Sequence, residues 1–385
     1  MDSRPNRLSW KAVPLTSRIT FFAAVFCLFG ALLLVAESAN FDAQSPADVF
    51  WIVVISGSFA MVWAYAGTSR KYWMFAVLFV LQALLNYLMR RYGSAPPSLA
   101  GDLPQLKNRL VLDAVVEFVL IVAAYILFLV FFAREGRRYF RTQTEVRLAG
   151  EIHRALVPQK HETIGNFEMF GTSVPSSEVG GDLFDIVESD GAWHAYVADV
   201  SGHGVAAGIL MSMIKSAASM QLTKLQRPAD LLRDLNDIMQ PITSPANYLT
   251  FAYVSGGYRG DDDGGAHDLS YALGGHLPIL HYQRQRKSVI EHADSNLPIG
   301  MFQGQTFAIS KIDLPAGDLL AIITDGFTEV ADSAERELGM EDFKAALAGC
   351  AEKPLPEIYR ELRERTLKFG KQTDDQTMLL IRRVA

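Results

Sequence analysis

Residues 195–210 read AYVADVSGHGVAAGIL. A short apolar run, 194–200, has the makings of a strand and carries Asp199 near its end. Two glycines, Gly202 and Gly204, then flank His203 in a turn, and an apolar run rich in Ala and Met, 205–222, follows as a helix. Glycine beside an acid lets backbone carbonyls and water come close to the carboxylate. An acid placed so, where a strand runs into a glycine turn, is suited to holding a cation.

The same arrangement recurs along the chain. Asp182 sits in EVGGDLFD (178–185) after two glycines, and Asp325 in LLAIITDGFTEV (319–330) at the end of an apolar run and before a glycine. Asp374 and Asp375 sit in QTDDQTMLLIRR (372–383), just before an apolar strand. Any one of them alone is an ordinary turn former. If they converge, the carboxylates repel one another and require cations. Hard oxygen ligands without a His or Cys set point to magnesium or manganese. Two such ions about 4 Å apart make a phosphoryl-transfer site. Spacing in the sequence does not itself bring the acids together.

Around these motifs the pattern is one of short β-rich runs and paired helices. Strands are expected at 194–200, 248–255, 269–273, 279–283, 319–324 and 377–382, and helices at 205–222, 228–239, 341–348 and 356–367. Clustered strands and paired helices favour α+β over a regular βαβ alternation. GDDDGG at 260–265 is consecutive and glycine-flanked, which reads as an exposed hairpin loop and not a metal site.

The first third of the chain is different. Hydrophobic residues make up 50% of the 385, and the excess is concentrated there. Four apolar stretches, about 19–36, 49–67, 72–89 and 110–133, are long enough to cross a bilayer. Arg4, Arg7, Lys11 and Arg18 precede the first span, Arg70 and Lys71 lie between the second and third, and Arg134, Arg137, Arg138 and Arg141 follow the fourth. By the positive-inside rule both termini and the soluble part lie in the cytoplasm, in a multi-pass protein of the cytoplasmic membrane. Arg90, Arg91, Lys107 and Arg109 conflict with this, since they fall outside. Gln82 with Asn86 and Asp113 with Glu117, each spaced i, i+4, face the outer leaflet as either a ligand-binding spot or interhelical hydrogen bonding.

Residues 140–159, FRTQTEVRLAGEIHRALVPQ, leave the fourth span with Leu148, Ile152, Ala155 and Leu156 at helical spacing, and Pro158 ends the helix. Such an apolar stripe suits either a homodimer through this linker or packing on its own domain. The net charge of −6 argues against nucleic acid as a partner, and two cysteines, Cys27 and Cys350, make neither a zinc set nor a disulfide framework.

EVGGDLFD, VADVSGHGVAAGILMSMIK, TFAYV, LGGHLPIL, LPIGM, ITDGFTEV and DDQTMLL occur in an order that resembles the SpoIIE/RsbU-type protein phosphatases, the bacterial branch of the metal-dependent Ser/Thr (PPM) phosphatases. GEIHRALVP (150–158) looks like the helix that precedes the domain in that family. The resemblance covers about 145–384. It implies an α/β/β/α sandwich with two manganese or magnesium ions between the sheets. Carried over motif by motif, Asp182 and Asp199 hold the ions at the centre with the Val200 carbonyl, Asp325 and Asp374 complete the shell, and Asp375 is a less certain ligand. A water activated there attacks phosphoserine or phosphothreonine directly, without a phosphoenzyme. The implied substrate is a phosphorylated STAS-domain anti-sigma-factor antagonist in a partner-switching pathway. The arginine that the broader superfamily uses to grip phosphate is absent near 179–185.

The resulting organisation is a membrane region (1–133), a linker helix (134–158) and a phosphatase domain (159–385). His203 is a candidate proton donor to the leaving serine or a structural residue of its turn. His276 reads as structural, Asp185 as either a residue outside the site, the favoured reading, or one behind the ligands, and Glu329 as a neighbour of the site. Two rivals stand beside this reading. One is a catalytically silent docking module of the same fold. The other is a diguanylate cyclase, since GGDLF (180–184) resembles the GGDEF signature; the lead-in and upstream acidic motif of that family are missing.

Overall fold

The structure, a computed structural model, describes all residues other than 1–9, 11, 12, 40–45, 93–102, 190, 203, 224–227, 243–247, 258–267, 295 and 385. The chain divides into two compact units, 1–142 and 143–385.

The apolar stretches of the first unit are helices, α1 (Leu15–Ala39), α2 (Pro46–Thr68), α3 (Trp73–Tyr92) and the first part of α4 (Leu103–Leu156), whose residues from 143 on belong to the second unit. Segments of α1, α2 and α4 are long and apolar enough to cross a membrane, and the apolar part of α3 runs over Trp73–Leu84. α1 and α2 meet through small residues. A Cβ on Gly30 would stand 2.9 Å from the Val53 side chain, and one on Gly57 would run into the Phe26 ring. Glycine lets helix backbones approach where lipid supplies no hydrophobic drive between them. Of the polar spot expected in this region, Asp113 is buried and Gln82 exposed, whereas the Asn86 side chain lies outside the described residues. α4 continues without a break from the fourth expected span to Leu156 and stops before Pro158.

The second unit holds β1 (Lys160–Ile164), β2 (Phe167–Val174), β3 (Leu183–Ser189), β4 (Ala192–Val200), α5 (Val205–Leu222), α6 (Pro228–Met239), β5 (Leu249–Gly257), β6 (Asp268–Gly274), β7 (Ile279–Gln283), β8 (Ser288–His292), β9 (Ser310–Asp313), β10 (Leu319–Ile323), α7 (Gly339–Cys350), α8 (Leu355–Phe369) and β11 (Gln376–Arg383). They form two antiparallel sheets, ordered β1-β2-β11-β10-β7-β8 and β3-β4-β5-β6-β9.

β10 shows how the layers stack. All five of its residues are buried, so both faces are covered. Leu320 and Ile322 join the core between the sheets, while Leu319, Ala321 and Ile323 join a second core under α7 and α8. β11 alternates in phase, with Leu379 and Ile381 inward and Met378 and Leu380 outward. On the far side Met211, Ile214 and Ala218 of α5 and Leu231, Leu232 and Leu235 of α6 cover the other sheet. The order of layers is therefore helices, sheet, sheet, helices. α5 is long and apolar enough to span a membrane, but its buried stripe is part of this core. The GDDDGG loop lies outside the described residues.

Candidate metal centre

Strand register brings the acids together in pairs. β3 and β4 pair Leu183 with Ala198, so the next step of the ladder sets Asp182 opposite Asp199. On the other sheet β10 and β11 pair Ile323 with Met378, and the Thr324 N–H donates to the Thr377 carbonyl at 3.1 Å just beyond. Asp325, in a short 3-10 turn, and Asp374 and Asp375 therefore lie at the same end of their strands. The sheets are tied at this point. Thr324 Oγ1 donates to Asp182 Oδ2 at 2.7 Å, and the Gly181 N–H donates to Asp375 Oδ2 at 2.7 Å. Ser176 donates to Asp375 Oδ1 from its backbone N–H at 2.7 Å and its hydroxyl at 3.0 Å.

Glycine permits this closeness. A Cβ on Gly181 would stand 2.6 Å from the Val200 carbonyl oxygen, and one on Gly326 would collide with the Asp375 carbonyl. Gly202 and Gly204, at φ +98° and +83°, occupy conformations that side chains resist. His203 between them lies outside the described residues.

The acids also act on one another electrostatically. Burial, then the neighbouring Asp199 and Asp375 carboxylates, push Asp182 well above the usual range. Asp199 is pushed up to about 7, first by burial and then by Asp325 and Asp374, with a hydrogen bond to Asp182 pulling the other way. Asp325 is raised by burial and by Asp374, and Glu329 by burial and by Asp325. Among the described residues, the charged groups that act on these four are all carboxylates. An acidic cluster without a counter-cation is costly to keep ionised. Its all-oxygen donor set fits magnesium or manganese. Among the described residues no three His, Cys, Asp or Glu side chains already stand at the spacing of an ion shell.

Asp185 does not join the acids. Its Oδ1 accepts from Lys160 at 2.6 Å and its Oδ2 from Lys215 at 2.9 Å. Burial favours its neutral form, but the two lysines outweigh that and hold it below the usual range. It ties β1 to α5. Asp185→Ala is expected to destabilise the domain by about 2–3 kcal/mol in urea unfolding, because two half-buried ammonium groups lose their counter-charge. Metal affinity should stay unchanged; a parallel loss of metal binding would place Asp185 behind the ligands after all.

His276 is buried and pushed down to about 4 by burial, and no site carboxylate acts on it. Its Nδ1 lies 3.2 Å from the Leu277 carbonyl oxygen. Reading the sequence missed Thr324, Ser176 and Thr377, whose N–H donates to Thr324 Oγ1 at 3.0 Å. Their only signal is adjacency to the acidic motifs.

The family model described as Stage II sporulation protein E (SpoIIE) matches residues 189–384. The chain is 24% identical over 244 residues to phosphoserine phosphatase RsbU of Bacillus subtilis (strain 168), a span covering 63% of this chain and 70% of that one. Among solved structures, the SiaA-PP2C domain of Pseudomonas aeruginosa superposes with a TM-score of 0.54 at 20% identity, over 64% of this chain and 98% of that one. The RsbU and RsbW domains of a Mycobacterium tuberculosis protein superpose with a TM-score of 0.51 at 22% identity, over 60% of this chain and 63% of that one. At these identities the superpositions speak to the fold.

Proposed function

This chain belongs to the SpoIIE family of protein phosphatases, and from that premise we propose that it is a membrane-anchored hydrolase of phosphoserine or phosphothreonine on a STAS-domain anti-sigma-factor antagonist. The observation that carries this reading is the carboxylate cluster itself. Asp182 and Asp199 from one sheet meet Asp325, Asp374 and Asp375 from the other, and among the described residues no cationic side chain acts on Asp182, Asp199 or Asp325.

Asp182 and Asp199, with the Val200 carbonyl, would hold two manganese or magnesium ions at the centre, and Asp325 and Asp374 would complete the shell. Asp375 is the weaker ligand, since Ser176 and Gly181 already claim both of its oxygens. When bound, such ions lower the pKa of a water and neutralise the phosphate. The chain's own part is to orient and to exclude. The Thr324 hydroxyl donates to Asp182, and the fold buries Asp182 and Asp375 while Asp199 and Asp325 stay half-buried and Asp374 exposed. No arginine stands near 179–185, so phosphate binding rests on the metals.

The name of the curated relative, a phosphoserine phosphatase, supports the substrate class. The apolar N-terminal helices support anchoring, and the basic clusters that bracket them support a cytoplasmic phosphatase domain (159–385) behind a linker helix (134–158). The linker's apolar stripe supports a homodimer.

Full-length protein in lipid nanodiscs, given a STAS-domain protein phosphorylated on serine, is expected to release phosphate with manganese and to stop when chelator is added. Release that persists in chelator would remove the metal mechanism. No release from any phosphoserine or phosphothreonine protein would remove the phosphatase reading.

A further inference from the structure

The last turns of α4 press against the loop that leads to Asp182. A Cβ on Gly150 would stand 2.6 Å from the Glu178 carbonyl oxygen. His153, one turn further along the same face, is 3% exposed, and its Nδ1 has no hydrogen-bond partner among the described residues. Besides burial, the strongest influence on this imidazole is Asp375. Val157, just past the helix, is anchored in the core between the sheets. All of these residues belong to the unit 143–385.

The loop has little room to yield. The Val179 carbonyl accepts from the Gly204 N–H at 3.2 Å, and the loop donates to Asp375 from Ser176 and Gly181. What meets Gly150 is backbone, which cannot swing aside as a flexible side chain can. Gly136 in the same helix is a useful contrast, because a Cβ there would meet nothing within 4 Å.

We propose that Gly150 and His153 are positioning residues of the metal centre: the helix surface they form sets the place of the 175–181 loop and, through it, of the Asp182 and Asp375 carboxyls. This rests on the reading of those acids as metal ligands. Neither residue touches the reacting atoms. Gly150 allows the helix to approach, and His153 is buried one turn further along the same face.

The test compares full-length wild type, Gly150→Ala, Gly136→Ala and His153→Asn in lipid nanodiscs, prepared free of metal. Manganese binding is followed by the loss of the free-ion EPR signal, and the 176–181 amides by hydrogen exchange. Both glycine changes raise helix propensity alike. Gly150→Ala and His153→Asn are expected to weaken manganese binding about ten- to a hundredfold, the size found when groups that orient metal ligands are removed. They should also speed exchange across 176–181, whereas Gly136→Ala matches wild type. Wild-type affinity and exchange in folded Gly150→Ala and His153→Asn would overturn the proposal while leaving the phosphatase reading intact. If Gly150→Ala fails to fold, His153→Asn alone decides with the same two outcomes. A wild type that binds no manganese would overturn the metal reading, and this inference with it.

Discussion

Asp199→Asn is expected to abolish phosphate release and yet make the metal-free protein more stable at pH 8. Both effects follow from one cause. The folded protein holds Asp199 up at about 7, by burial and by Asp325 and Asp374, against about 3.9 for a free aspartate. The fold thus favours the protonated acid. That contribution to stability is fully present below about pH 4 and is lost as pH rises through about 7. Above this the ionised carboxylate strains the metal-free fold, and an amide of the same shape does not. A gain on the order of 1–2 kcal/mol at pH 8 is expected, discounted for relaxation of the cluster, with none at pH 4. Phosphate release should fall on the order of a thousandfold, as when a central electrostatic element is lost. Urea unfolding in chelator at the two pH values, beside an activity assay in manganese, reads both. A variant that is less stable at pH 8 would mean that Asp199 has a cationic partner after all. By the same linkage protons compete with metal, so apparent manganese affinity in the wild type should climb as pH rises toward 7 and then level off.

Gly326→Ala should be the most damaging single methyl group in the domain. The added carbon would run into the Asp375 carbonyl, backbone against backbone, at the point where the two acidic turns cross. The turn is also held from the other side, since Gln376 Nε2 donates to the Gly326 carbonyl at 2.9 Å. No rotamer relieves such a clash, so the chain must move or unfold. A loss of about 3 kcal/mol or more is expected, at the upper end for overpacking, together with loss of metal binding. Gly349→Ala, in α7 where a Cβ meets nothing within 4 Å, is the control and should be neutral or mildly stabilising. Thermal unfolding with and without manganese checks both; a Gly326→Ala protein with normal melting and metal binding would mean the acidic turns do not cross as described.

Reading the sequence succeeded where burial imposes a period. β7 has the expected bounds, and β4, β5, β6, β10 and β11 agree to within two residues, because apolar runs between glycine turns mark buried strands. α5 and α6 match end to end, since their apolar stripes cover one sheet. Five strands went unread, β1, β2, β3, β8 and β9; in β3 (LFDIVES) the charged Asp185 interrupts the apolar run. β1 (KHETI) and β8 (SVIEH) are polar edge strands, and β9 has only four residues. β2 has a glycine at Gly171, where the Phe184 ring of the facing sheet packs against the backbone.

The chemistry divides in the same way. Composition and motif determined that acids sit at strand ends beside glycines and that an apolar third precedes the domain. These are local properties, written in residue type and spacing. The tertiary structure alone decided which acids act together. Asp185, three residues from Asp182, turns away to Lys160 and Lys215, whereas Asp375, nearly two hundred residues distant, binds the Gly181 N–H. It also decided that Thr324 donates to Asp182, that Gly150 of the linker lies against the loop and that His153 beside it is buried. The reason is that the pairing of strands from two sheets is set by the whole buried core, and no window of sequence contains it.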